Sequence, residues 1–195
     1  MEITVKGLGR SYGGVPVFRN VSFTAKSGAV TCLSAPSGWG KTTLLRILLG
    51  LERADAGTVE GLRGLRCAAV FQEDRLLEGL TPEENLRFVQ GRDYDGAATA
   101  ALLRELGLVP GEEKPVRDFS GGMRRRVALA RALSIPFDVL FLDEPYSGLD
   151  AENRRAATDV ILRRSGGKTI FLVTHERQDA AAFGAEIVDL TKMGV

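Results

Sequence analysis

Ala35-Pro36-Ser37-Gly38-Trp39-Gly40-Lys41-Thr42-Thr43 is the stretch that decides the fold. It follows a compact apolar run at 29–33 and precedes Leu44, Leu45, Ile47, Leu48 and Leu49, a pattern too broadly apolar for a surface helix and closed by Gly50. Strand, glycine-rich turn and buried helix, in that order, are the setting of a phosphate-binding P-loop, G-x-x-x-x-G-K-S/T. Its glycines let successive backbone N–H groups surround a phosphate. Gly40, Lys41 and Thr42 meet this pattern, whereas Ala35 stands at its first glycine and must either avoid a positive φ or leave the turn bent slightly differently. Ser37, Gly38, Trp39, Gly40, Lys41, Thr42 and Thr43 are therefore candidate nucleotide-binding residues. Lys41 is expected to reach the β and γ phosphates and the Thr42 hydroxyl to bind Mg²⁺. Trp39 either contacts a partner subunit or covers the loop.

A second site element lies at 139–144, where an apolar strand runs into Asp143-Glu144. Carboxylates there emerge into the crevice that binds ligands in open α/β sheets. Asp143 is expected to hold the Mg²⁺ hydration shell, and Glu144 to polarise the attacking water as general base.

Around these elements, 3–5 and 21–25 read as strands flanking a Tyr12-Gly13-Gly14 turn, with further strands at 57–60 and 67–71. The last is almost wholly apolar and is expected to be central in its sheet. Pro82 opens a helix with Glu83 and Glu84 in its first turn, 95–106 has helical periodicity, and Ser120 reads as the N-cap of a helix ending near Ser134. A helix at 151–164, a buried strand at 169–173 and an edge strand at 187–190 complete the order. This succession predicts an α/β fold with a helical insertion at about 74–134.

The composition sets limits on function. Apolar residues make up 44% and charged residues 26% of the 195, which excludes a mainly disordered chain. Lys and Arg number 26 against 25 Asp and Glu, so the net charge of +1 gives no overall field to attract nucleic acid or an anionic membrane. The most apolar stretch, 127–142, is broken by Arg131, Pro136 and Asp138, so no membrane span is expected. The first residues lack the basic and apolar regions of a secretion signal, pointing to the cytoplasm. Cys32 and Cys67 lack metal-ligand spacing and read as buried thiols.

Phe119-Ser120-Gly121-Gly122-Met123-Arg124-Arg125-Arg126-Val127-Ala128-Leu129-Ala130-Arg131-Ala132-Leu133 resembles the L-S-G-G-Q signature and following basic helix of the ATP-binding cassette (ABC) ATPases, 23 residues before Asp143 as in that family. Phe119 replaces the usual leucine and Met123 the usual glutamine. The resemblance implies that Ser120, Gly121 and Gly122 receive the γ-phosphate of ATP held by a second subunit. It further matches Tyr12 to the aromatic residue that stacks on adenine and Gln72 to the Q-loop glutamine that touches Mg²⁺ and the water. Asp150, in Ser147-Gly148-Leu149-Asp150, matches the D-loop, and His175 the switch histidine. Catalytic roles then fall to Glu144, His175, Gln72 and Lys41, and metal ligation to Thr42, Gln72 and Asp143. Arg124, Arg125, Arg126 and Arg131 are read as a solvated helix face in preference to a nucleic-acid surface.

The family's fold is a P-loop NTPase core, a mixed sheet with flanking helices plus a small antiparallel β subdomain, carrying an inserted α-helical subdomain. On that pattern 1–195 forms one domain, with core 1–73 and 135–195 and helical part 74–134. The implied function is that of the ATP-hydrolysing subunit of a transporter. It would work with ATP and Mg²⁺ as a homodimer or paired with a related cassette, bound to transmembrane permease subunits at the inner face of the cell membrane. The 70–85 stretch resembles nitrate, sulfonate and taurine importer ATPases, and with 20 residues after His175 no C-terminal regulatory domain is expected. No nucleic-acid partner is expected. The competing readings are a soluble ABC clamp, as in iron-sulfur assembly, and a small-metabolite P-loop kinase; the signature conflicts with the kinase.

Overall fold

The computed structural model describes residues 2–193. Two sheets form its frame. β1 (Glu2–Tyr12), β2 (Val15–Lys26) and β4 (Ala56–Glu60) make an antiparallel sheet in the order β2-β1-β4. β3 (Val30–Ser34), β5 (Cys67–Val70), β6 (Val139–Asp143), β7 (Thr169–Val173) and β8 (Glu186–Asp189) make a parallel sheet in the order β5-β6-β7-β3-β8. The core sheet, expected to be mixed, is wholly parallel, and the small antiparallel part is the separate β2-β1-β4 sheet.

The β1–β2 hairpin closes through Gly13 and Gly14, both at positive φ, as a two-residue turn matched to strand twist requires. Both strands run longer than their apolar alternation suggests. Register shifts between Val5 and Ser11, with Gly7 and Asn20 at positive φ, interrupt the period-2 pattern without ending the pairing.

β6 and β7 are buried along their whole length because the parallel sheet is covered on both faces. Alternate residues serve different cores. Leu140, Leu142, Ile170 and Leu172 face α4 (Gly121–Leu133) and α5 (Ala151–Ser165). Val139, Phe141, Phe171 and Val173 join α1 (Lys41–Leu48) and the inner face of the antiparallel sheet, with Phe141 stacked on Phe171 at 5.0 Å between centroids. The first core also takes in Leu86 of α2 (Pro82–Gln90) and Leu102 and Leu103 of α3 (Gly96–Glu105).

β5 lies at an edge of its sheet, not at its centre. Its apolar sequence has another cause: Ala68 and Val70 pack in the first core, and Cys67 and Ala69 pack against the second. β8 is the other edge. A short helix, α6 (Arg177–Ala182), follows β7 unannounced by sequence periodicity, since six residues give too few turns to show one. No helix among the described residues is long and apolar enough to cross a membrane.

Candidate active site

The loop between β3 and α1 turns at Gly38 (φ +79°) and Gly40 (φ +99°). A Cβ on Gly40 would lie 2.3 Å from Val17 Cγ1, so both conformation and space demand glycine. Ala35 is absent from the positive-φ residues, and the departure at the first glycine is accommodated without strain there. Trp39, only 9% exposed, stacks on Phe18 of β2 with centroids 5.6 Å apart and planes 7° from parallel. Its side chain fastens the loop to the antiparallel sheet and is not among the residues lining the cleft.

That cleft, about 700 Å³, is bordered by Tyr12, Ser37, Gly38, Gly40, Lys41, Thr42, Thr43, Gln72, Asp143, Glu144 and His175 among others. Lys41 Nζ donates to the carbonyls of Ala35 (2.8 Å) and Pro36 (2.9 Å). Burial lowers its pKa, opposed by Glu144 and Asp143. Thr42 Oγ1 donates to Asp143 Oδ2 at 2.7 Å, joining the start of α1 to the end of β6. Burial raises the Asp143 carboxyl, against the Thr42 hydrogen bond and the Lys41 charge. A hydroxyl and a carboxylate in contact, with the Gln72 amide on the same cleft, form a set of hard oxygen donors of the type Mg²⁺ selects.

Glu144 adopts φ +49°, a left-handed conformation costly for a side-chain-bearing residue and found preferentially at functional sites. His175 Nε2 lies 3.2 Å from Glu144 Oε1, yet that buried oxygen has no partner in hydrogen-bond geometry. Burial pushes the Glu144 carboxyl above the usual range; His175 opposes the shift and Asp143 adds to it.

Tyr12, 46% exposed, hydrogen-bonds through its hydroxyl to the Glu52 carboxylate. The Arg10 guanidinium lies over its ring at 4.7 Å and pairs with Glu52 (2.8 Å) and Asp55 (2.7 Å). Sequence reasoning missed Arg10, although its place two residues before Tyr12 puts it on the same face of the strand.

Ser120, Gly121, Gly122 and Asp150 are not brought to the Lys41 cleft. They border a second one of about 370 Å³ with Arg126, Gly148, Leu149 and Asn153; Gly148 and Leu149 line both. Ser120 Oγ accepts from the Met123 amide (3.3 Å), the N-cap its position implies, and Asp150 caps α5 by accepting from the Asn153 amide (2.8 Å). A Cβ on Gly122 would meet the Gly148 carbonyl at 2.7 Å, so glycine lets the signature turn and the 147–150 turn approach. Behind the site, Asp179 accepts from Thr174 (3.0 Å) and pairs with Arg154 of α5 (3.1 Å), tying that helix to the turn bearing His175.

The arginines of α4 do not form a solvated face. Arg124 pairs with Glu78 (3.1 Å), Arg126 donates to the Gly107 carbonyl (2.7 Å), and Arg131 to those of Arg75 (2.8 Å) and Asp74 (3.2 Å). Arg125 is 2% exposed. It misled as one of a basic run, but Ala128, Leu129 and Ala132, three, four and seven residues on, mark it as lying on the buried face.

Comparison with known proteins adds an independent line. Residues 18–147 match the protein family described as ABC transporter. The chain is 39% identical over 173 residues to the aliphatic sulfonates import ATP-binding protein SsuB 1 of Pseudomonas savastanoi pv. phaseolicola, covering 88% of this chain and 73% of that protein. It is 36% identical over 195 residues to SsuB 1 of Rhodococcus jostii, covering 97% and 79% respectively. To the Fe(3+) ions import ATP-binding protein FbpC 1 of the same organism it is 36% identical over 204 residues, covering 95% and 58%.

Proposed function

Because this chain belongs to the ABC transporter family, as an ATP-binding and ATP-hydrolysing subunit that powers such a transporter, we propose that the cleft beside Lys41 is one half of its catalytic site. The observation that carries this reading is the Thr42–Asp143 contact beside Lys41, with Glu144 held in a strained conformation one residue further on. Tyr12 stacks on the adenine. The amides of 37–43 surround the phosphates, and Lys41 leaves the Ala35 and Pro36 carbonyls to meet the β and γ phosphates.

Thr42, Asp143 and Gln72 would hold Mg²⁺, which would supply positive charge to neutralise the phosphates. Glu144 aligns a water and takes its proton as the oxygen bonds to the γ-phosphorus; the bond to the β–γ bridging oxygen breaks and ADP leaves. The raised Glu144 carboxyl suits it to accept that proton. His175, beside Glu144, donates to the γ-phosphate.

The second half of the site comes from the Ser120-Gly121-Gly122 helix end of a second copy or a related cassette. Its separate cleft in this chain supports that reading. Residues 74–134 serve as the helical subdomain, supported by the consecutive α2, α3 and α4 between β5 and β6, although their core is continuous with that of the sheet. The subunit sits at the inner face of the membrane on permease subunits and drives import of a small solute, the activity named for its relatives.

The test is E144Q. It is expected to bind Mg-ATP with near-parental affinity by calorimetry, to lose at least about 100-fold in hydrolysis, and to elute as a dimer with Mg-ATP. Parental turnover would overturn the assignment of Glu144.

A further inference from the structure

The segment after β5 carries Gln72 to the cleft, yet its own hydrogen bonds run to another helix. Arg125, in the second turn of α4, donates through Nη1 to the Phe71 carbonyl (2.6 Å) and through Nη2 to the Gln72 carbonyl (2.8 Å). The same guanidinium pairs with Asp74 at 3.3 Å. One planar fork thus holds the backbone on both sides of the residue whose side chain meets the cleft. A buried guanidinium is costly to desolvate, and well-packed apolar residues commonly stabilise as much or more. Stability alone gives little reason to keep an arginine here; its fixed fork geometry does.

Resting on the proposed role of Gln72, we infer that Arg125 is a positioning residue that sets Gln72 in the cleft and makes its placement depend on α4, the helix whose start carries Ser120, Gly121 and Gly122. Lysine, a point charge on a flexible stem, cannot span both carbonyls and Asp74 together.

The test compares the full-length parent with R125K, Q72A and the double variant. Steady-state hydrolysis is measured at saturating Mg-ATP, ATP affinity by calorimetry in EDTA, and amide hydrogen exchange over 71–78 without nucleotide. R125K is expected to lower kcat roughly fivefold, to leave ATP affinity within about twofold, and to lower kcat by less than about twofold more in the Q72A background. Exchange over 71–78 is expected to accelerate. Equal kcat losses for R125K in the parent and Q72A backgrounds, or unchanged exchange, would overturn the inference while leaving the reading of the cleft intact. If Q72A itself keeps parental kcat, the role of Gln72 fails and the inference falls with it. R125Q, whose amide reaches only one carbonyl, takes the place of R125K if the latter does not fold, and is judged by the same outcomes.

Discussion

Two loops border the Lys41 cleft, 35–40 and 71–80, and their side-chain anchors differ in kind. The first rests on apolar contact with the antiparallel sheet: Trp39 stacks on Phe18 and Gly40 sits over Val17. The second hangs on polar bonds from helices, through Arg124, Arg125 and Arg131 of α4 and through Asn85 of α2. Asn85 is fully buried, and its amide bonds the Leu77 N–H (2.9 Å) and the carbonyls of Leu77 (3.2 Å) and Thr81 (3.0 Å). Apolar packing fixes a loop to a surface; directional bonds fix it to particular atoms, so that it follows the element bearing them. The 35–40 loop is anchored to a sheet, whereas the Gln72 loop is tied to the helices.

The contrast makes quantitative demands. Trp39→Ala removes the anchor of the first loop and is expected to cost about 3–5 kcal/mol in chemical denaturation, as for other buried aromatic truncations. Amide exchange over 71–80 should stay parental; a joint loosening of both loops would break the distinction. Asn85→Ala strips the second loop of partners for buried backbone groups, at about 2 kcal/mol, with faster exchange confined to 77–81 and an unaltered phosphate loop. A cost equal to that of Trp39→Ala would mean that the polar anchor is as strong as the apolar one.

Two smaller effects sharpen the comparison at its margins. Tyr12→Ala, on the antiparallel-sheet side, is expected to weaken ATP binding by about 1 kcal/mol in calorimetry through loss of one stacking contact. Met123→Gln, on the α4 side, replaces a side chain packed against the first core. It is expected to change stability by under about 1 kcal/mol in chemical denaturation, with the parental elution in Mg-ATP retained by gel filtration and only a modest change in turnover.

The legibility of the fold divides along the same line. The phosphate loop, the Asp143-Glu144 strand end and the capped start of α4 are all contiguous in sequence, and apolar runs and glycines announce them. The frame of the parallel sheet was legible for the same reason, since strands buried on both faces are written as unbroken apolar runs. The edge position of β5 was not, because apolar content records coverage of faces and carries no information on lateral neighbours. The carbonyl partners of Arg125 and Arg131 lie 53 to 57 residues away in the chain, and only the packing of α4 beside β5 brings them together. The brace of Tyr12 by Glu52, 40 residues on, is hidden in the same way.

Trp39 is the sole tryptophan of the chain, held between Phe18 and the phosphate loop with its indole N–H unpartnered. The protein therefore has a single indole emitter, selectable over its three tyrosines by long-wavelength excitation and seated in an apolar setting beside the Lys41 cleft. A re-seating of 35–40 changes the polarity around that one ring, so an occupant of the cleft that moves the loop is expected to shift the ultraviolet emission, without dye or label. The residue that anchors the loop also makes the loop visible.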